Sequence, residues 1–326
     1  MTEEIRVLKY RSKALEDNWL NDPTEREVIV FLPEKLKEEA PLLIGLAGFG
    51  GGARSFLNFS PMSENFTDVV KTLRKSGKLK DAVIAIPDCY TSLGGNQYIN
   101  SSSVGNYEDF ITDEIVPWIK EDYSTGLTGV FGKSSEGFGS YSLATRHPDV
   151  FSGFADHSGD AGFEYCYFAD FPDAIREFEK AGGVKNWFSK YNESRNKMSK
   201  EFMKTINVLA MSAFYSPNPE SENLGIDFPF DLETGELDPV IWEKWLKLDP
   251  ARNIRENLER IRSMKGVYLD VGFSDEFNIN FGMRIMHRIL EKTSVPHVFE
   301  EFEGGHFNIT YREEYALSYL AERLSV

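Results

Sequence analysis

Short apolar runs and helix-spaced apolar positions alternate along most of this chain. The runs at 27–32, 41–47, 81–87, 127–132, 151–155, 266–271 and 297–302 are five to seven residues long and rich in Val, Ile, Leu and Phe. They read as strands, several of them covered on both faces. Between them, 63–76 fits a helix with Ser63 as its N-cap. Tyr107, Phe110, Ile111, Ile115, Val116 and Ile119 recur at helical spacing up to about Tyr123. Helices also fit the stretch ending at Arg146, 282–292, and the closing segment with Tyr315, Tyr319, Leu320 and Leu324. Residues 5–15 mix apolar and basic positions and read as a first edge strand. Strand and helix in alternation predict an α/β fold, with a mostly parallel, doubly wound sheet and loops gathered at the strand C-termini.

The rhythm breaks at 161–252. This stretch is crowded with aromatic residues, is interrupted by Pro217 and Pro219, and is partly helical at 172–181 and 199–212. It reads as a cap inserted into an α/β core formed by 1–160 and 253–326, most of its rings packing on one another. A long polar stretch without periodicity, 88–103, follows the third apolar run, and loops of that length are usually functional. Trp187 from the cap and Asn100 from this loop are expected to line the pocket.

Composition narrows the classes. A chain of 326 residues, 41% hydrophobic, can bury a large core. No apolar run approaches the length of a membrane span, and the first residues do not form a secretory leader, which fits a cytoplasmic protein. Cys89 and Cys166 are too few for a disulfide framework and have no metal-ligand spacing. The formal net charge of −16 argues against nucleic acid and anionic lipid as partners. It leaves a small neutral substrate, and a homo-oligomer, open.

The chemistry centres on Leu127-Thr-Gly-Val-Phe-Gly-Lys-Ser-Ser-Glu-Gly-Phe-Gly-Ser140. A strand stops at Gly132, two serines follow, and a helix continues beyond them. A nucleophile elbow is built this way: the turn lifts a hydroxyl from the sheet beside a helix N-terminus that can hold an oxyanion. Gly132-Lys133-Ser134 also ends like a phosphate-binding loop, but that motif needs glycine where Leu127 stands. Small residues are wanted two before and two after the nucleophile. Ser134 has Gly132 before it and Glu136 after; Ser135 has Lys133 before it and Gly137 after. The pattern alone leaves the two serines open. The glycine cluster 48–52, just past a buried strand, reads either as a tight turn or as a place where main-chain N–H groups approach a ligand.

A serine needs a base, and the chain has five histidines. His147, His287 and His297 fit structural positions. His306 follows the last strand beside Gly304 and Gly305 and is the preferred base, with His157 in reserve. Asp275, beyond the penultimate strand, keeps the chain order Ser, acid, His expected for this architecture. Glu276 and Asp160 are its alternatives.

Leu46-Ala-Gly-Phe-Gly-Gly51, Gly132-Lys-Ser-Ser-Glu-Gly-Phe-Gly139, Asp275-Glu-Phe277 and Gly304-Gly-His306 together resemble the putative esterase family of α/β-hydrolases, which includes esterase D and the enterochelin- and feruloyl-esterase-like proteins. Gly94-Gly-Asn-Gln-Tyr-Ile-Asn-Ser101 adds to the likeness, which runs from about Pro41 to the last helix. The family carries His-Gly where this chain has Ala47-Gly48, and glycine where it has Glu136. The resemblance implies Ser134 as nucleophile and an oxyanion hole from the N–H of Ser135 and of the Gly48-Phe49 turn, with Phe49 the second donor.

The expectation is a serine carboxylic-ester hydrolase with the triad Ser134, His306 and Asp275, needing no metal or organic cofactor. Gly48 would border the substrate, and the aromatic cap suggests an uncharged aryl or short-acyl ester. An acyltransferase or peptidase using the same triad, or an inactive hydrolase fold that only binds, would read the same way.

Overall fold

The computed structural model of the protein describes residues 4–16, 18–79 and 81–325, with backbone alone at 200 and 201. The extreme N-terminus, read above for a leader, therefore lies partly outside the described residues. Eight strands form one sheet: β1 (Glu4–Arg11), β2 (Glu25–Leu32), β3 (Leu42–Gly45), β4 (Val83–Pro87), β5 (Thr128–Lys133), β6 (Gly153–His157), β7 (Gly266–Gly272) and β8 (Val298–Phe302). Their spatial order is β1-β2-β4-β3-β5-β6-β7-β8. The β1–β2 and β2–β4 pairs are antiparallel, and every other pair is parallel. The edge strand stops at Arg11, short of the stretch expected from the pattern, because Ser12 turns the chain and its hydroxyl donates to Glu114 at 2.5 Å.

Although the central strands are apolar throughout, the period of two still decides which face each side chain takes. Ile29, Phe31, Leu43, Phe131 and Tyr268 share one core with α1 (Phe66–Ser76) and the closing helix Glu313–Leu324, through Phe66, Val70, Leu73, Leu317 and Leu320. Their strand neighbours Val28, Val30, Leu42, Ile44, Val130, Phe154 and Val267 face the opposite core. On that face lie α2 (107–123, π-wound at Phe110–Ile115), α3 (Ser135–Arg146) and a later helix, Ile279–Lys292.

Helix α1 begins at Phe66 rather than Ser63. Asn65 is its N-cap residue, and Gly77 ends it in the left-handed conformation. The 161–252 stretch is mainly helical, with α4 (Phe171–Ala181), α5 (Val184–Glu193), α6 (Lys200–Tyr215) and α7 (Pro239–Leu248). Its rings belong to the same continuous core as the sheet: Phe163 stacks on Tyr215 at 5.1 Å, and Trp245 meets Tyr215 edge-on at 5.2 Å. Buried Asp249 ties the end of this stretch to its start, accepting from Gly162 N–H at 2.8 Å and Phe163 N–H at 3.0 Å. Among the described residues no helix is long and apolar enough to cross a membrane.

Leu320 is fully buried between the closing helix and the sheet. Leu320→Ala is expected to cost about 2–5 kcal/mol, read as a lower denaturant midpoint with an unchanged slope. No change in the midpoint would mean that this helix does not pack as described.

Candidate active site

The C-terminal ends of β3, β5, β6, β7 and β8 release the turns that carry Gly48, Ser134, Asp160, Asp275 and His306 along one rim of the sheet. Ser134 is the bend. Its φ of 64° and ψ of −128° lie where a side chain is strained, and Ser135 is already the first residue of α3. Neighbours hold that conformation: Ser134 N–H donates to His157 O at 2.9 Å, and Phe138 N–H donates to Ser134 O at 3.0 Å.

The small residues required here are divided between both serine registers. A Cβ on Gly132 would sit 2.3 Å from Glu136 Cβ, and one on Gly137 would sit 2.6 Å from Gly159 Cα. Gly132 thus leaves room for the stem of Glu136, which answers how the turn accommodates that side chain.

His306 is buried, its Nε2 2.9 Å from Ser134 Oγ and its Nδ1 2.8 Å from Asp275 Oδ2. Asp275 is held in turn through Oδ1, which accepts from Phe277 N–H at 2.9 Å. Glu276 takes the main-chain N–H of His306 at 2.5 Å, so it fixes the backbone rather than the ring. Phe277 packs edge-on against the imidazole.

The reserve histidine is elsewhere engaged. The His157 ring is buried, with Nδ1 2.5 Å from Asp270 Oδ1 and Nε2 3.5 Å from Glu313 Oε2. Asp270 also accepts from Arg312 Nε at 2.8 Å. Burial alone would lower the basicity of His157, but the carboxylates of Asp270 and Glu313 outweigh it and push the imidazole up to about 10. His147 similarly meets Glu108 at 2.7 Å, and His287 meets His297 at 2.9 Å.

Asp160 lies in a buried ring of hydrogen bonds. Gln97 Nε2 donates to Ser135 Oγ at 2.7 Å, Ser135 Oγ lies 3.4 Å from Asp160 Oδ2, Tyr167 donates to the same oxygen at 2.8 Å, and Tyr215 donates to Gln97 Oε1 at 3.0 Å. The Ser135 hydroxyl is committed to this network, while the Ser134 hydroxyl faces His306.

The Gly48-Phe49 turn stands opposite the elbow. Tyr98 clamps it, accepting from Ala47 N–H at 2.8 Å and donating to Ala47 O at 2.6 Å. Gly95 lies so close behind Phe49 that a Cβ there would meet its ring at 2.4 Å. Among the described residues no protein acceptor takes the N–H of Phe49 or of Ser135, so both donors remain available.

A cavity of about 510 Å³ opens above Ser134 and His306. Phe49, Phe56, Phe66, Phe277 and Phe307 form an aromatic side next to Gly48, whereas Tyr167, Asp170, Met203, Lys204 and Asn207 come from the 161–252 stretch. Lys204 is paired with Asp173 at 2.7 Å and with Asp170 at 3.4 Å. The structure does not bring Asn100 or Trp187 to this cavity. Asn100 Nδ2 donates to Asp109 at 2.6 Å and its Oδ1 accepts from the first N–H groups of α2, while Trp187 stacks on Tyr191 inside the core of the 161–252 stretch. Tyr98, Gln97 and Tyr167 are the site residues that pattern reading missed; only the aromatic and amide residues within the 94–101 motif hinted at the first two. Among the described residues no group of three or more His, Cys, Asp or Glu side chains is arranged to hold a metal ion.

An eight-stranded α/β sheet with a serine at a strained strand-to-helix bend, facing a histidine, defines the α/β-hydrolase class. Within it, the chain belongs to the putative esterase family, whose profile, described as "Putative esterase", matches residues 22–316. Similar solved structures include a ferulic acid esterase (18% identity, TM-score 0.60, covering 99% of this chain and 100% of that one). An S-formylglutathione hydrolase from Agrobacterium tumefaciens is also similar (14%, 0.59, 99% and 96%), as is a fluorophosphonate-binding serine hydrolase from Staphylococcus aureus (13%, 0.56, 98% and 98%). At these identities the structural likeness speaks for the fold. No curated protein sequence matches.

Because the His157 imidazole is raised above its unfolded value of about 6.5, its contribution to stability is complete below that pH and is lost as pH rises through about 10. His157→Gln should therefore narrow its stability gap to the wild type as pH climbs across this window, measured by chemical denaturation. A gap that stays constant or widens would contradict the charged assignment.

Proposed function

We propose that the protein is a serine carboxylic-ester hydrolase. The observation carrying this reading is the Ser134–His306–Asp275 relay, with contacts of 2.9 and 2.8 Å at the floor of the cavity. Ser134 Oγ attacks the acyl carbon as its proton passes to His306 Nε2, and Asp275 holds the tautomer and stabilises the imidazolium. The electron pair leaving the carbonyl bond settles on oxygen, facing the N–H groups of Phe49 and Ser135. Collapse of this intermediate expels the alcohol, which takes the proton from His306. Water, activated by the same imidazole, then releases the acid from the acyl-enzyme.

The 161–252 stretch acts as the cap, supplying Tyr167, Met203 and Lys204 to the cavity wall. A space of about 510 Å³ with an aromatic side suits a small aryl or short-acyl ester. The names of the similar hydrolases are consistent with ester chemistry.

Hydrolysis of p-nitrophenyl acetate and butyrate provides the test. Ser134→Ala is expected to lower kcat by on the order of 10⁴- to 10⁶-fold, while Ser135→Ala, which keeps its main-chain N–H, retains measurable turnover. Loss of activity in Ser135→Ala alone would move the nucleophile by one residue. No turnover by the folded wild type on a panel of such esters would overturn the reading.

A further inference from the structure

Glu136 stands two positions after Ser134, where an elbow calls for a small residue, yet its side chain does not turn to solvent. The residue is 2% exposed, it borders the reaction cavity, and its Oε1 occupies the space a Cβ on Gly48 would need, 2.4 Å from that point. Its Oε2 is buried without a hydrogen-bond partner. A carboxyl group has thus been placed between the elbow and the turn that carries Phe49, the two elements whose N–H groups face the carbonyl oxygen in the reaction proposed above.

An ionised carboxylate there would oppose the negative charge that develops on the oxyanion; a carboxylic acid would instead bring an O–H donor to it. We propose that Glu136 is a further catalytic residue, a neutral carboxylic acid whose O–H donates to the oxyanion alongside the N–H groups of Phe49 and Ser135. This inference rests on the esterase reading. The O–H donates a hydrogen bond without transferring its proton: Ser134 Oγ still forms the bond to carbon, the carbonyl pair still moves to oxygen, and the serine proton still goes to His306. No additional reactant is needed. A carboxylic acid kept neutral by an apolar site can serve as such a donor.

The surroundings favour the neutral form. Burial pushes the Glu136 carboxyl well above the usual carboxylate range; its own N–H and Lys133 favour the ion but are outweighed, and Asp160 and Glu313 add to the upward push. The Tyr98 phenol, from the loop behind the Phe49 turn, also senses Glu136. Lys133, Tyr98, Asp160 and Glu313 are all unchanged in a Glu136 variant, so a difference between variants reports on Glu136.

The experiment compares pH profiles of kcat and kcat/KM on p-nitrophenyl butyrate for the wild type, Glu136→Gln and Glu136→Ala, with thermal midpoints to establish folding. The wild type is expected to lose activity on the alkaline side as Glu136 ionises. Glu136→Gln, whose amide still donates but cannot ionise, should stay within about tenfold at neutral pH and lack that alkaline loss. Glu136→Ala, having lost a donor to the oxyanion, should fall in kcat by on the order of 10²-fold with a smaller change in KM. An unchanged kcat in folded Glu136→Ala, or superimposable pH profiles for the wild type and Glu136→Gln, overturns the proposal. If Glu136→Ala does not fold, the profile comparison decides alone. An active wild type with either contrary result rejects only the role of Glu136, whereas a wild type inactive on every ester rejects the esterase reading and this inference with it.

Discussion

The site depends on one strained residue. Ser134 holds a positive φ without being glycine, a conformation that costs on the order of 1–3 kcal/mol and survives only where the surroundings leave no alternative. Here β5 and β6 run in register until Lys133 pairs with His157, and the next N–H, that of Ser134, is captured by His157 O. On the other side the first turn of α3 is pressed against Gly132 and Gly159, contacts that tolerate no additional carbon. The sheet and the helix together therefore hold the hydroxyl out of the plane and toward His306.

That constraint also explains the division of labour among buried charges beneath the rim. His157 presents its carbonyl to the elbow while its ring is balanced by Asp270, itself paired with Arg312. Because the ring is engaged away from Ser134, it stabilises the β6 end without competing for that hydroxyl. His306 arrives from β8 on a turn whose Gly305 backs onto Glu276, and Glu276 fixes its main chain while Asp275 holds its ring. Two adjacent carboxylates thus act on the same residue at different atoms. The Phe49 turn has its own brace in Tyr98, whose phenol both donates to and accepts from Ala47.

Much of this was legible from sequence because the signals are local. The strands, the bend between Gly132 and the helix, and the glycines before His306 each announce themselves within a few residues. Asp275 followed from chain order. What was hidden depends on partners distant in the chain. Tyr98 acts on Ala47, and Tyr215 joins Gln97; neither pairing leaves a periodic trace. Asn100 and Trp187 were expected at the pocket because polar loops and cap aromatics often line one. Asn100 instead satisfies the first N–H groups of α2, and Trp187 has enough aromatic neighbours to be buried within the 161–252 stretch. The start of α1 shifted by three residues because more than one polar residue there could precede a helix. Glu136 shows the converse: the departure from the family pattern was visible, but the room that Gly132 gives its stem was not.

The measurement that tests the central claim most directly is tandem mass spectrometry of the wild-type protein after reaction with a fluorophosphonate. The elbow geometry requires the adduct on Ser134, the residue at the positive-φ bend facing His306 Nε2. An adduct confined to Ser135, or a folded protein that forms none, would contradict it.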